Sequence, residues 1–192
     1  MSNPASSTRK CLLTNVSRLF GAISLIAMLL SYSTLNAHTP YAQWDAYRVR
    51  HLQVLTTRAD LIGDAIADKW VAVLAEHLPE SKAVVSRARN FVRMASLLKT
   101  DQAKVAVLSY ADAKAMFEGT PPFEEYGPVK LQVLLDDGAY LLVTRADLPE
   151  NHGRLVVSTL LDKGAELNLS VPMAEVYGMD IHSGARAVMN DH

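Results

Sequence analysis

The fold is decided between residues 96 and 118, which read Ser96-Leu-Leu-Lys-Thr-Asp-Gln-Ala-Lys-Val-Ala-Val-Leu-Ser-Tyr-Ala-Asp-Ala-Lys-Ala-Met-Phe-Glu118. The apolar run Val105–Leu108 is unbroken, as in a strand that is covered on both faces. Ser109 ends this strand and can cap a helix that begins near Asp112. In an open α/β sheet, ligands bind where the carboxyl ends of strands lead into helices. Ser109 and Tyr110 occupy such a place, which points to a receptor for a small molecule.

The sequence before this stretch alternates between strand and helix patterns. The predicted elements are a strand over 51–56, a helix over 61–77, a strand over 82–86 and a helix over 90–98. Asp60 can cap the first helix, and Ile62 is expected on its inward face. Strands that alternate with helices predict a three-layer α/β fold, in which helices cover both faces of a mostly parallel sheet.

The sequence after this stretch begins with a loop over Gly119–Pro128, which is rich in proline and glycine. Two apolar runs follow, over 129–135 and 139–144. They form either a hairpin on the Asp136-Asp-Gly138 turn or two consecutive strands of the sheet. Helical spacing returns over 149–163, and a short final helix is expected over 183–190.

The first 37 residues have the composition of a secretory signal. Three basic residues precede the apolar block Leu19–Leu30, and a polar segment leads to Leu35-Asn-Ala37, with cleavage expected after Ala37. A retained membrane anchor is the alternative. After cleavage the chain has a polar leader over 38–50, a single domain over 51–192 and no cysteine, because Cys11 lies in the signal. An exported domain without disulfides is typical of the bacterial periplasm.

Composition and motifs exclude several classes of function. The formal net charge of -1 argues against nucleic-acid binding, which needs a basic surface. No nucleophile elbow, phosphate-binding loop or dinucleotide fingerprint occurs, so the chain is not expected to be an enzyme. His77, His152 and His182 fall on different elements without metal-ligand spacing. The sequence therefore predicts neither a cofactor nor a metal site.

Three polar segments at predicted strand ends are candidates for ligand binding. Thr56-Thr57-Arg58 follows the first strand, Arg89-Asn90 follows the second and Ser109-Tyr110 follows the third. Hydroxyls, backbone amides and guanidinium groups together suit an anionic ligand such as a carboxylate. The alternative is that Thr56-Thr57-Arg58 and Arg89-Asn90 are solvated turns with helix caps. Arg87 is assigned to a solvated turn.

The order of these parts resembles the TAXI family of periplasmic solute receptors, which serve TRAP transporters. Met94–Ser109 looks like that family's pattern of paired leucines, a polar turn and an apolar strand. Leu142–Glu150 is similar to the strand that re-enters the first lobe, and Ile181–Ala185 is similar to the family's closing element, with Ser183 where the family has proline. The resemblance implies a periplasmic-binding-protein lobe that captures a solute and delivers it to a membrane transporter subunit.

The chain departs from this family in length. Receptors of the family have two lobes that close on the ligand, and this chain has room for one. The second lobe would be expected at the Gly119–Pro128 loop or at the Asp136–Gly138 turn. One lobe offers half of a site, so either the affinity is weaker or the other wall comes from a second copy in a homodimer or from a periplasmic partner protein. The alternative function is an interaction or scaffold module that has lost its ligand.

Overall fold

A computed structural model describes residues 51–191; the predicted signal over 1–37 and leader over 38–50 lie outside the described residues. The strands are β1 (Gln53–Thr57), β2 (Val84–Ala88), β3 (Val105–Ser109), β4 (Leu131–Asp136) and β5 (Tyr140–Arg145). The α-helices are α1 (Leu61–His77), α2 (Phe91–Lys99), α3 (Tyr110–Glu118), α4 (Glu150–Lys163) and α5 (Ser183–Asp191). Short 3-10 turns cover Pro79–Ser81, Glu124–Tyr126 and Ala165–Leu167.

The five strands form one open sheet in the order β2-β1-β3-β5-β4. Strand β1 pairs in parallel with β2 and β3, whereas β5 is antiparallel to both of its neighbours. All strands except β5 therefore run in one direction, and the predicted mostly parallel α/β sheet is confirmed.

Helices cover both faces of this sheet, because successive side chains of each strand point to opposite sides. Val54 of β1 packs with Trp70 and Leu74 of α1, in a cluster that α4 and α5 complete. The next residue, Leu55, packs on the other face with Met94 of α2 and with residues of α3. The three-layer arrangement predicted from the sequence is thus confirmed.

Three of the helices begin at the edge of the sheet where β1, β2 and β3 end, which we call the carboxyl edge. Asp60 Oδ1 accepts hydrogen bonds from the amides of Ile62 and Gly63, so Asp60 caps α1. Asn90 Oδ1 accepts from the amide of Arg93 at the start of α2. Ser109 Oγ accepts from the amide of Asp112, as the sequence predicted for α3.

The structure corrects several details of the sequence prediction. Strand β2 begins at Val84 and not at Lys82, because Lys82 has a φ of 47° and ends the turn that follows α1. Arg87 consequently lies inside β2 and not in a turn after it. Ile62 is 66% exposed, so it does not face the core as expected. Gly63 and Ala67 lie on the buried side of α1 instead.

Strands β4 and β5 form the hairpin that the sequence left open as one of two alternatives. Asp136 Oδ1 accepts from the amide of Gly138 at 2.7 Å, and Gly138 adopts a φ of 90° that suits glycine. The chain passes directly through this turn, without an inserted lobe. The Gly119–Pro128 loop likewise contains no further domain, and its Phe123 is fully buried against α2 and α3.

The segment between α4 and α5 covers the outer edge of β4. The amide of Asp136 donates to the carbonyl of Ser170 at 2.9 Å, and the amide of Ser170 donates back at 2.8 Å. The amide of His182 donates to the carbonyl of Val133 at 2.9 Å. Within residues 51–191, no helix has the length and apolar character needed to cross a membrane.

Candidate functional site

The carboxyl edge brings together all seven residues that the sequence predicts for ligand binding. Thr57 of β1 lies opposite Ala88 of β2 in the parallel register. The amide of Arg58 continues this pairing by donating to the carbonyl of Ala88 at 3.1 Å. Arg58 and Arg89 therefore follow neighbouring strands at the same level. Ser109 is the last residue of β3 and Tyr110 follows it, on the other side of β1.

Arg58 and Arg89 are exposed and unpaired, and we call them the arginine pair. Among residues 51–191, neither guanidinium group makes a hydrogen bond or an ion pair. Each of the other arginines in this part of the chain contacts a polar side chain; they are Arg87, Arg93, Arg145, Arg154 and Arg186. The arginine pair thus differs from the other arginines of residues 51–191 in having no side-chain partner.

Arg87 lies two residues from Arg89 but, unlike Arg89, forms ion pairs with two carboxylates. Its guanidinium group binds the carboxylate of Asp64 at 2.8 Å and that of Asp68 at 2.6 Å, which ties β2 to α1. These partners raise the pKa of Arg87 above its usual value, mainly through the hydrogen bonds to Asp64 and Asp68. Arg87 therefore has a structural role.

Helix α2 adds positive potential beside the arginine pair. Its amino end carries a partial positive charge, and a neutral residue, Asn90, provides its cap. The first turn of α2 contains no acidic residue and does contain Arg93. The ends of β1 and β2 thus carry Arg58, Arg89 and the amino end of α2, with the acidic cap of α1, Asp60, beside Arg58.

Thr56 and Thr57 are buried beneath the loop that carries Arg58. They lie at the end of β1, where both side chains are withdrawn from solvent. Thr57 Oγ1 accepts a hydrogen bond from the amide of Ala59 at 3.3 Å, which holds the turn that presents Arg58. Their contribution at this edge is to the shape of the loop.

The hydroxyls of Ser109 and Tyr110 are engaged with carboxylates. Ser109 Oγ donates to Asp112 Oδ2 at 2.6 Å, and the Tyr110 hydroxyl donates to Asp136 Oδ2. Burial, followed by this hydrogen bond, raises the pKa of Tyr110 to about 12. An anion that approaches β3 would meet these carboxylates, so Ser109 and Tyr110 lie in a different electrostatic setting from the arginine pair.

Tyr140 belongs to the same edge and was missed by the sequence interpretation. Its hydroxyl donates to Asp60 Oδ1 at 3.0 Å, which joins the start of β5 to the cap of α1. Burial and this hydrogen bond raise the pKa of Tyr140 to about 12, with smaller effects from Asp112 and Asp137. A tyrosine at the start of a strand carries no local signal for a contact with a distant helix cap.

Charge is distributed unevenly along the carboxyl edge. The arginine pair lies at the β2 and β1 end. Asp112, Asp136 and Asp137 lie around the ends of β3, β5 and β4, and we call them the aspartate end. The arginine pair suits a carboxylate or phosphate, because guanidinium groups donate paired hydrogen bonds to such anions. The aspartate end repels the same ligands.

The histidines take no part in this edge. His182 is 2% exposed, its Nε2 lies 3.0 Å from the carbonyl oxygen of Leu148, and its Nδ1 accepts from the amide of Gly184 at 3.1 Å. With Nδ1 as acceptor, the neutral ring donates from Nε2. Within residues 51–191, no group of three histidine, cysteine, aspartate or glutamate side chains is arranged to hold a metal ion.

No protein-family model matches this chain, and no curated protein matches it. The resemblance to the TAXI family therefore stays a prediction that the motifs of the sequence carry. The geometry of the carboxyl edge is the independent basis for a functional proposal.

Proposed function

We propose that this chain is an exported solute-binding domain that captures a small anionic ligand, such as a carboxylate, for transport or sensing. The observation that carries the proposal is the unpaired, exposed arginine pair at adjacent strand ends. Ligands of open α/β sheets bind at this edge, which is where the strands lead into helix amino ends. The proposed function involves no catalysis, no cofactor and no nucleic acid.

The arginine pair favours an anion because, among residues 51–191, neither guanidinium group forms an ion pair with a carboxylate. Like charges on neighbouring strand ends repel one another, and a carboxylate that contacts both guanidinium groups replaces the repulsion with attraction. The amino end of α2 contributes in the same direction. Asn90 supplies a polar side chain at the border of this region.

The affinity follows from the open geometry. Arg58 and Arg89 are exposed to water, which weakens each ion pair, and one layer of loops cannot enclose a ligand. We expect a dissociation constant between micromolar and millimolar, which corresponds to about 4–8 kcal/mol of binding free energy.

Export is the part of the proposal that rests on residues 1–37, outside the described residues. The basic residues, the apolar block and Ala37 support cleavage and release into the periplasm. Amino-terminal sequencing of the protein from a periplasmic extract is expected to give a chain that starts near His38. Intact Met1 in the membrane fraction would instead indicate the retained anchor.

A thermal-shift experiment tests the binding proposal. A ligand that binds the folded state raises the melting temperature by mass action, so acetate, succinate, citrate and inorganic phosphate are titrated against the purified protein. Replacing Arg58 or Arg89 with alanine is expected to abolish the rise, with little change in the melt without ligand. The matched control is Arg154→Ala, because Arg154 is exposed and pairs with Asp191 on another part of the surface.

An interaction or scaffold module is the second candidate. Two observations favour it: the hydroxyls of Ser109 and Tyr110 are already engaged, and the aliphatic side chains of Leu61 and Ile62 are exposed at the same edge. Such a module would bind a periplasmic partner protein in place of a solute. Absence of any thermal shift, together with recovery of one stable partner from periplasm, would replace the receptor proposal with this one.

A further inference from the structure

Two exposed aliphatic side chains lie in the same short segment of the chain as Arg58. Leu61 is 78% exposed and Ile62 is 66% exposed, and they are the first two residues of α1. We call them the aliphatic pair. Branched apolar side chains in water gain free energy when another molecule covers them. The aliphatic pair therefore offers an apolar contact to a ligand of the carboxyl edge.

The turn after β1 holds the aliphatic pair close to the arginine pair. The amide of Asp60 donates to the carbonyl of Thr57 at 3.1 Å, which closes a turn around Arg58. Leu61 is three residues beyond Arg58, so the Cα atoms of these two residues lie at most about 11 Å apart. The pairing of β1 with β2 brings Arg89 to the same level. Cationic and apolar side chains thus meet at one strand end.

Acidic residues at the start of α1 limit the positive charge of this surface. Asp60 caps α1 and lies two residues from Arg58. Asp64 binds Arg87 at 2.8 Å, so its charge is already balanced by a cation. Exposed ion pairs are weak, and the carboxylate of Asp60 weakens the attraction of an anion further. A ligand that also contacts the aliphatic pair gains affinity that charge alone does not supply.

We propose that the ligand is a carboxylate with an aliphatic tail, of which hexanoate is an example. The carboxylate contacts the arginine pair, and the tail lies on the aliphatic pair. This inference rests on the proposed function and narrows its ligand class from small anions to carboxylates that carry an apolar tail. Succinate and phosphate can contact the arginine pair, but they gain nothing from the aliphatic pair.

A series of straight-chain carboxylates tests the proposal. Acetate, butanoate, hexanoate and octanoate are titrated below the concentrations at which they form micelles, and the Nε–Hε signals of Arg58 and Arg89 give the dissociation constants. Full burial of one methylene group corresponds to about a four-fold gain in affinity, and partial coverage on an open surface to about two-fold. Hexanoate is therefore expected to bind at least about 10-fold more tightly than acetate.

Variants of the aliphatic pair show whether the tail lies where we propose. Leu61→Gln combined with Ile62→Gln is expected to remove the dependence on chain length and to leave acetate binding unchanged. Both positions are exposed, so the melting temperature should change little. Leu155→Gln, at a half-exposed position of α4, is the matched control and should keep the full dependence on chain length.

Two further measurements separate the tail from the charged group. Hexanoate, and not acetate, is expected to shift the methyl signals of Leu61 and Ile62 in ¹³C spectra of the unaltered protein. Hexanol has the same tail without the charge, and it is expected to bind at least about 10-fold more weakly than hexanoate, because it cannot form charge-assisted hydrogen bonds with the arginine pair.

Three results would overturn this inference and leave the proposed function standing. They are an affinity for hexanoate within about 3-fold of that for acetate, a double glutamine variant that keeps the gain with chain length, and methyl signals of the aliphatic pair that hexanoate does not move. Vesicles of phosphatidylglycerol that bind through the aliphatic pair and that hexanoate does not displace would assign this surface to a membrane instead. If acetate, succinate and hexanoate all leave the signals of Arg58 and Arg89 unchanged, the proposed function itself fails.

Discussion

The hydroxyl of Tyr140 donates a hydrogen bond to Asp60 Oδ1 across 3.0 Å, between residues that are 80 positions apart in the chain. The same carboxylate oxygen caps α1 by accepting from the amides of Ile62 and Gly63. The ring of Tyr140 also packs against Gly63, where an added Cβ would lie 2.9 Å from its Cε1 atom. The hydrogen bond and the packing together hold the start of α1 against the sheet. They therefore also position the loop before α1, which carries Arg58.

Replacing Tyr140 with phenylalanine is therefore expected to destabilise the protein. The ring stays in place, so the loss is that of a hydrogen bond to a charged group, about 1.5 kcal/mol of unfolding free energy. Urea denaturation followed by circular dichroism measures it. The control is Tyr126→Phe, which removes a hydroxyl from a half-buried tyrosine elsewhere in the chain. Equal losses in the two variants would contradict the assigned role.

The same hydrogen bond predicts a loss of stability at alkaline pH. Burial and Asp60 raise the pKa of Tyr140 from 10.0 to about 12, so the folded state favours the protonated phenol. The resulting stability is fully present below pH 10 and is lost as the pH rises towards 12. The unfolding free energy of Tyr140→Phe should fall less steeply over this range. Parallel curves for the two proteins would count against a buried, hydrogen-bonded phenol.

The ion pairs at the opposite edge of the sheet predict an acid effect. The carboxylate of Asp147 binds Arg145 at 2.8 Å and Lys104 at 3.0 Å. The hydrogen bond from Arg145 is the main reason that the pKa of Asp147 is lowered from 3.8 to about 2. Its contribution to stability is present above pH 4 and is lost as the pH falls to 2.

Asp147→Asn tests this effect. Because these side chains are partly exposed, the loss at neutral pH is expected to stay below about 1 kcal/mol and to shrink in high salt. The variant should also lose less stability than the unaltered protein between pH 4 and pH 2. Acid unfolding monitored by tryptophan fluorescence provides the curves, and a steeper acid loss in the variant would rule out the assignment.

The crossing of α4 and α5 depends on two glycines. A Cβ at Gly153 would lie 2.4 Å from His182 Nδ1, and a Cβ at Gly184 would lie 2.4 Å from the carbonyl oxygen of Glu150. Both neighbours are held in place, the first by hydrogen bonds of the buried ring and the second by the helix backbone. The close approach of the two helices therefore requires the absence of a side chain.

Gly153→Ala is expected to lower the unfolding free energy by about 1–3 kcal/mol, since overpacking outweighs the gain in helix propensity. Asn151→Ala, an exposed substitution in the same helix, is the control and should change stability by less than about 0.5 kcal/mol. Thermal melts of the two variants give the comparison. A stabilised Gly153→Ala would show that α4 and α5 are not packed this closely.

The local signals of the sequence predicted much of this fold. Asp60 and Ser109 are predicted from the sequence as helix caps, and Asn90 as a cap in one of two alternatives, because capping depends on a residue and the few that follow it. The apolar run Val105–Leu108 likewise identified the central strand, since a strand covered on both faces needs no partner to be recognised.

Tertiary contacts could not be predicted in the same way. Ile62 has helical spacing with Ile66 and Trp70, which predicts an inward position. Only the position of the sheet decides that Gly63 and Ala67 face it instead. Phe123 lies in a proline-rich loop, yet the loop folds back and buries its ring against Phe91 at 5.6 Å. Periodicity carries no information about such a loop.

The candidate site likewise combines features that local sequence signals predict with contacts that they do not. The sequence located all seven site residues at strand ends, which the parallel topology then brings to one edge. It did not predict that the hydroxyls of Ser109 and Tyr110 would bind Asp112 and Asp136, because Asp136 belongs to a hairpin far along the chain. It separated Arg87 from the candidate site residue Arg89, but it did not predict the ion pairs of Arg87 with Asp64 and Asp68.

The central claim is that the arginine pair binds a small anion, and nuclear magnetic resonance of the arginine side chains tests it most directly. Succinate is titrated into the ¹⁵N-labelled protein while the Nε–Hε signals of the arginines are recorded. The account predicts saturable shifts for Arg58 and Arg89, a smaller shift for the backbone amide of Asn90, and unchanged signals for Arg87 and Arg154. Uniform small shifts of all exposed arginines, or saturation at Ser109 and Tyr110 without Arg58 and Arg89, would contradict it.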